Sequence, residues 1–66
     1  MKGPWKVFSQ MIGDTRKYIA GRQIDTSKVL HAGNIEYHGE YGDDKDSVEI
    51  ICAMLNSITG CNGGVV

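Results

Sequence analysis

The dipeptide Gly13-Asp14 interrupts a stretch in which apolar and polar side chains roughly alternate, and this interruption constrains the fold more than any other feature. The flanking segments, 5–12 and 15–24, are rich in aromatic and β-branched residues, a composition typical of β-strands. A two-residue Gly-X connection favours a type II′ turn, because glycine accepts the positive φ of the first turn position. The pattern therefore predicts a β-hairpin in which Ile12 lies opposite Thr15.

Alternation along this hairpin separates its side chains into two faces, because successive residues of a strand point to opposite sides of a sheet. The face that we expect to form the core carries Trp5, Val7, Ser9, Met11, Tyr18, Ala20 and Ile24. The other face is mostly polar but includes three apolar residues, and it carries Lys6, Phe8, Gln10, Ile12, Lys17, Ile19 and Gln23. We therefore expect a sheet with one buried face and one open face.

A loop and a third strand follow the hairpin. Residues 25–33 form a loop by composition, and residues 35–41 are predicted to form a strand in which Gly39 marks a bulge. Alternation is expected to direct Ile35, Tyr37 and Tyr41 toward the core. It is expected to direct Glu36, His38 and Glu40 toward the open face.

The last segment has the pattern of an amphipathic helix. Asp44 or Asp46 can accept the first free amide hydrogens as the N-cap, and Asp46 with Glu49 has the spacing of a capping box. Gly60 is predicted to end the helix. The apolar stripe expected to lie on the sheet recurs at helical spacing and consists of Val48, Ile51, Cys52, Leu55 and Ile58.

Together these elements predict an α+β fold: a three-stranded antiparallel sheet in β-β-β meander order, with one C-terminal helix packed on one face. We expect a single domain spanning residues 1–66, with flexible segments at 1–4 and 60–66. A chain of 66 residues has a stability margin of roughly a few kcal/mol, so domains of this size often need a disulfide, a metal or a partner subunit.

The sequence favours the partner subunit among these three. No secretory leader precedes the first strand, so we expect a cytoplasmic protein in which Cys52 and Cys61 are free thiols. No cysteine or histidine lies at a metal-ligand spacing, and no apolar run approaches the ~20 residues of a membrane span. We therefore expect no metal, no cofactor and no membrane, but a homo-oligomer, most simply a dimer.

The residues that could support catalysis have simpler interpretations. Neither His31 nor His38 lies near a recognisable nucleophile motif, and a domain this small has little room for a closed pocket. The acidic cluster at residues 43–49 lacks the ligand order of a calcium loop, and helix capping explains it. We therefore predict that the protein is not an enzyme.

Three surfaces remain as candidate binding sites for a protein partner or a second copy. The first is the open sheet face, with Phe8, Ile12, Ile19, Lys6 and Lys17. The second is a helix flank at Ile50 and Met54, which lie beside the core stripe. The third is an unpaired strand edge, which can add a strand from another chain.

Charge distribution supports a nucleic-acid-binding alternative. Residues 1–33 carry six Lys or Arg and two acids, whereas residues 34–66 carry one Lys and six acids. This asymmetry is also consistent with pairing between the two halves. If the basic hairpin contacts phosphates, the contacting residues are Lys6, Arg16, Lys17 and Arg22.

The chain resembles a group of small uncharacterised proteins of Firmicutes, often encoded by phages and other mobile elements. The resemblance spans Trp5 to Asn56 and is carried by Trp5-Lys6-Val7, Ile12-Gly13-Asp14, Tyr18, Gly21-Arg22, Asp25, the stretch 31–37, Asp43-Asp44-Lys45 and Leu55-Asn56. It implies a setting in which small proteins of this kind bind and block a host component, such as a defence system.

A looser similarity links the hairpin, third strand and capped helix to the β-β-β-α DNA-binding domains of tyrosine recombinases, which place the sheet in the major groove. This chain departs from their pattern, because Glu36 and Glu40 are expected on the same face as the basic residues, where they would repel DNA.

Overall fold

The computed structural model describes residues 1–59 of the chain. It contains strands β1 (Lys6–Ile12), β2 (Thr15–Gln23) and β3 (Ile35–Gly42), and helix α1 (Lys45–Thr59). A short 3₁₀ helix (Ala32–Asn34) precedes β3. The strands form one antiparallel sheet in the order β1-β2-β3, and α1 packs on one face. The predicted α+β fold is confirmed, whereas the predicted tail at 60–66 and helix end at Gly60 lie outside the described residues.

The hairpin forms in the predicted register. Ile12 pairs with Thr15 and Phe8 pairs with Ile19. Gly13 has a φ of 63°, the positive value expected for the first position of the turn.

Strand β3 contains the bulge predicted at Gly39. Between the pairs Ala20–His38 and Tyr18–Gly42, β2 advances two residues and β3 advances four. Gly39 lies in this interval with a φ of 75°, which glycine adopts without strain.

The predicted orientation of β3 is wrong. Tyr37 lies on the face away from α1, with its ring 6.0 Å from that of Phe8 in an edge arrangement. The physical reason is Gly21, the pairing partner of Tyr37: a Cβ atom at this position would lie 2.8 Å from the Phe8 ring. The missing side chain leaves room for both aromatic rings on that face, and alternation then places His38 on the helix face, 5.9 Å from the Trp5 ring.

The core lies between α1 and the first two strands. Its buried members are Trp5, Ala20, Val48 and Cys52, and the partly buried Val7, Tyr18 and Leu55 pack against them. Met11 and Ile24, expected in the core, are exposed. Met11 lies near the turn end of the hairpin and Ile24 just past the end of β2.

Hydrogen bonds fix both ends of the helix. Asp44 is the N-cap, as one of the two predicted alternatives: its carboxylate accepts from the backbone N–H of Asp46 at 3.0 Å and from the Ser47 hydroxyl at 2.9 Å. Near the other end, Asn56 Oδ1 accepts from the Trp5 N–H at 2.7 Å, and Asn56 Nδ2 donates to the Trp5 carbonyl at 3.1 Å. The side-chain amide of Asn56 therefore pairs with both backbone polar groups of Trp5, as the backbone of a neighbouring strand would.

The first residues of the chain, expected to be flexible, make defined contacts. The Gly3 N–H donates to the Gln23 carbonyl at 2.9 Å, and the Met1 carbonyl accepts from the Thr26 N–H at 2.8 Å. Lys2 forms an ion pair with Glu36 at 3.1 Å. These bonds extend the edge of the hairpin by one short segment.

Candidate interaction surfaces

Most of the open sheet face is covered by its own side chains. Ile19, predicted to be exposed there, is only 5% exposed. It lies on the central strand directly opposite Phe8, so side chains of both neighbouring strands flank it. The exposed residues of the predicted set are Lys6 and Ile12, and Ile12 lies at the turn end of the hairpin.

Polar pairs also hold this face together. The Tyr41 hydroxyl donates to Gln10 Oε1 at 2.7 Å, which connects β3 to β1 across the central strand. Lys17 forms an ion pair with Asp43 in the connection before α1. This face therefore offers few unpaired groups to a partner.

The helix flank, in contrast to the open sheet face, is apolar and exposed. Ile50 and Met54 are 61% and 60% exposed, as predicted for a surface beside the core stripe. Ile51 and Ile58 were predicted to lie on the sheet, but they are 40% and 80% exposed. The reason is the lateral position of α1, which contacts β1 and β2 far more than β3.

An open groove of about 370 Å³ results on the β3 side of the helix, and we call it the helix–β3 groove. It is lined by His38, Ile51, Met54, Leu55 and Ile58. A helix about 10 Å wide covers roughly two strands that are about 4.8 Å apart, so the third strand of this sheet has no helix above it. The groove is therefore a direct consequence of placing one helix on three strands.

The groove side of the helix carries no charge. From Ile50 to Thr59 the sequence contains no Asp, Glu, Lys or Arg, and the charged residues of α1 all lie between Lys45 and Glu49. Exposed faces of surface helices normally carry charged residues, so this uncharged, exposed apolar surface makes the groove a candidate interaction site.

Three of the four candidate phosphate-binding residues have partners within the protein. Arg16 donates to the Ser9 hydroxyl at 2.9 Å, and Lys17 pairs with Asp43. The Arg22 guanidinium lies 4.5 Å above the Trp5 ring and donates to Glu36 at 3.0 Å. The side chain of Arg22 is only 13% exposed, so it could reach a phosphate only by leaving these contacts.

Glu36 lies between two cations on the helix-side face, not on the open face where it was expected. Hydrogen bonds from Lys2 and Arg22 lower the pKa of its carboxyl below the usual 4.5, and the charges of both partners add to this effect. Glu36 therefore neutralises part of the basic hairpin within the fold.

The residues considered for catalysis have structural partners. His31 Nδ1 accepts from the Gly33 N–H at 3.1 Å and so caps the 3₁₀ helix. Hydrogen bonds from the Ser27 hydroxyl and backbone lower the pKa of Asp25. Burial, with the nearby charge of Glu49, raises the pKa of the Cys52 thiol, and a protonated thiol is a poor nucleophile.

Two kinds of site are absent from the part of the chain that the structure describes. No group of three or more His, Cys, Asp or Glu residues there lies close enough to hold a metal ion. Across residues 1–59, no helix combines the length and the apolar character that crossing a membrane requires.

The outer strands of the sheet, β1 and β3, are the third predicted surface. In β3 the bulge at Gly39 interrupts regular pairing, and bulges on edge strands discourage the addition of a further strand. The β3 edge is therefore a weaker candidate than the helix–β3 groove.

Of the five residues that line this groove, sequence reasoning predicted only Met54 at a binding surface of the helix. It assigned His38 to the open sheet face and Ile51, Leu55 and Ile58 to the buried stripe. The available signal was the width of the apolar surface on α1. Apolar residues occur at 48, 50, 51, 52, 54, 55 and 58, more than one buried stripe needs, and none of the last ten residues of the helix is charged.

No family model matches the sequence, and comparison with curated proteins and with solved structures gives no significant match.

Proposed function

We propose that this chain is a non-enzymatic protein-binding module of the cytoplasm whose binding site is the helix–β3 groove. The observation that carries the proposal is the uncharged run Ile50–Thr59, which exposes Ile50, Met54 and Ile58 beside an open groove. Apolar side chains exposed together gain roughly 25 cal/mol for each Å² that a partner removes from water.

The groove suits a protein segment better than a small polar ligand. Its lining has one polar side chain, His38, and small-molecule sites use several convergent polar groups to fix a ligand. An amphipathic helix with apolar residues at i, i+3 and i+7 can insert them along such a groove. The resemblance to mobile-element proteins extends the proposal to a role in blocking a host component.

The test compares capture of proteins by three immobilised forms of the full chain. Met54→Lys places a charge in the groove, while Ala53→Lys adds the same charge to the exposed opposite flank of α1. Each of the three immobilised forms is incubated with a bacterial lysate to which the free, untagged protein has been added. The bound proteins are then quantified by mass spectrometry. We expect the wild type and Ala53→Lys to retain one or more proteins about tenfold better than Met54→Lys does. The reason is that burying an unpaired ammonium group is costly.

If Met54→Lys retains the same proteins as well as the wild type does, the proposal is contradicted. Circular dichroism of each variant verifies that the helix is intact, so that lost capture is not mistaken for lost folding.

Nucleic-acid binding by the basic hairpin is the alternative, and its test is a salt titration with duplex DNA. Four phosphate contacts would give a slope of about −3.6 in a plot of log binding constant against log salt concentration. Because Arg16, Lys17 and Arg22 are engaged within the fold, we expect weak binding with a slope much shallower than this value.

A further inference from the structure

We propose that the helix–β3 groove is filled by the α1 helix of a second copy of this chain, which gives a two-fold dimer with antiparallel helices. The inference rests on the proposed function, because it uses the same groove. It names the partner as the chain itself.

Helix α1 supplies both one wall of the groove and the apolar ridge that would fill the groove of a second copy. Ile51, Met54 and Ile58 follow each other at i, i+3 and i+7, the spacing of the contact seam between packed helices. A two-fold dimer needs one surface that is complementary to itself. If two α1 helices cross antiparallel at Met54, Ile51 of each copy lies opposite Ile58 of the other.

Charge supports self-association along this seam. A two-fold contact places the same surface on both sides, so a charged residue near the axis would face its own copy. The run Ile50–Thr59 contains no such residue, and the charges of α1 lie in its first turns, away from an axis at Met54. The antiparallel arrangement also pairs opposite ends of the two helix dipoles.

The single chain has a small core, which a dimer would enlarge. Among the described residues, no large side chain is less than 2% exposed, and twelve large apolar residues are at least 40% exposed. A specific interface buries at least about 600 Å² per partner, or about 13% of the 4647 Å² accessible surface of this chain. The uncharged part of α1 that borders the groove, Ile50–Thr59, is about 15 Å long, so the interface lies at the small end of this range and we expect weak dimerisation, with a dissociation constant in the micromolar range or above.

The dimer would leave the open sheet face uncovered. Ile12, at the turn end of the hairpin, and Lys6, at the other end of β1, stay exposed on this face.

Sedimentation equilibrium of the full chain tests the proposal. We expect the mass to rise from 7.2 kDa toward twice that value as the concentration increases through the micromolar range. Met54→Lys is expected to remain monomeric, and Ala53→Lys is expected to dimerise like the wild type. A wild-type chain that stays monomeric at millimolar concentration, or a Met54→Lys variant that still dimerises, would overturn the inference.

A disulfide-trapping experiment tests the geometry without depending on the stability of a lysine variant. In a Cys61→Ser background, Met54→Cys near the two-fold axis is expected to form an intermolecular disulfide under mild oxidation. Ala53→Cys, on the opposite flank, is expected to stay reduced, and equal cross-linking of both variants would refute the arrangement. A monomeric chain that still captures another protein through Met54 would end this inference alone, whereas loss of all groove-dependent binding would also end the proposed function.

Discussion

Replacing Asn56 by alanine should remove a large part of the stability of this domain, because its side-chain amide satisfies both backbone polar groups of Trp5. An unpaired buried backbone group costs about 1–3 kcal/mol, and these half-buried groups belong at the lower end, so their combined cost is about 2 kcal/mol. Alanine recovers about 0.5 kcal/mol through its higher helix propensity. The expected net loss is therefore about 1.5 kcal/mol.

The assay is thermal and urea unfolding followed by far-ultraviolet circular dichroism. For a domain of this size, 1 kcal/mol corresponds to about 4–8 °C in Tm, so Asn56→Ala is expected to melt about 6–12 °C below the wild type. Ser57→Ala is the matched control, because Ser57 is exposed and gains similar helix propensity without losing a contact to Trp5. Equal stability of the two variants would refute the assigned role of Asn56.

Three further predictions concern stability and reactivity. Gly21→Ala should destabilise the fold by about 1–3 kcal/mol in urea unfolding, because the new Cβ would lie 2.8 Å from the Phe8 ring. Gly42→Ala is the control: its Cβ would lie at an ordinary 3.7 Å from Val48, so it should cost less. Glu36→Gln should be less stable than the wild type at neutral pH. Because the pKa of Glu36 is lowered in the folded state, this difference in stability should vanish as the pH falls from 4.5 through the lowered value. A difference that does not depend on pH would argue against the ion pairs. Alkylation of Cys52, followed by mass spectrometry, should be slow in the folded chain and fast in urea, and fast labelling of the folded chain would contradict its burial.

Local patterns in the sequence were sufficient to predict the elements and the hairpin register. Gly13 defines the turn, and once Ile12 opposes Thr15 every other pair between β1 and β2 follows. An acidic N-cap at Asp44 or Asp46 and a bulge at Gly39 likewise follow from one residue and its neighbours, although the choice of Asp44 over the Asp46–Glu49 capping box was settled only by where the helix begins. These are short-range properties, so they can be predicted without knowing how the elements pack.

Orientation and lateral packing could not be predicted in the same way. Alternation correctly groups Ile35, Tyr37 and Tyr41, but it does not specify which side of the sheet they occupy; the space above Gly21 decides this. Periodicity likewise groups Ile51 with Val48, although α1 turns one toward solvent and the other into the core. The width of one helix relative to three strands requires an uncovered side, but the sequence does not say whether it borders β1 or β3.

The position of Trp5 gives this protein a built-in optical probe. It is the single tryptophan of the chain, buried in the core, with the Arg22 guanidinium above its ring and the edge of His38 beside it. His38 also lines the helix–β3 groove, so the ring next to the core tryptophan is part of the groove wall. We expect its fluorescence to shift to longer wavelength on unfolding and its quantum yield to change when the groove fills, so that two equilibria can be followed in unlabelled protein.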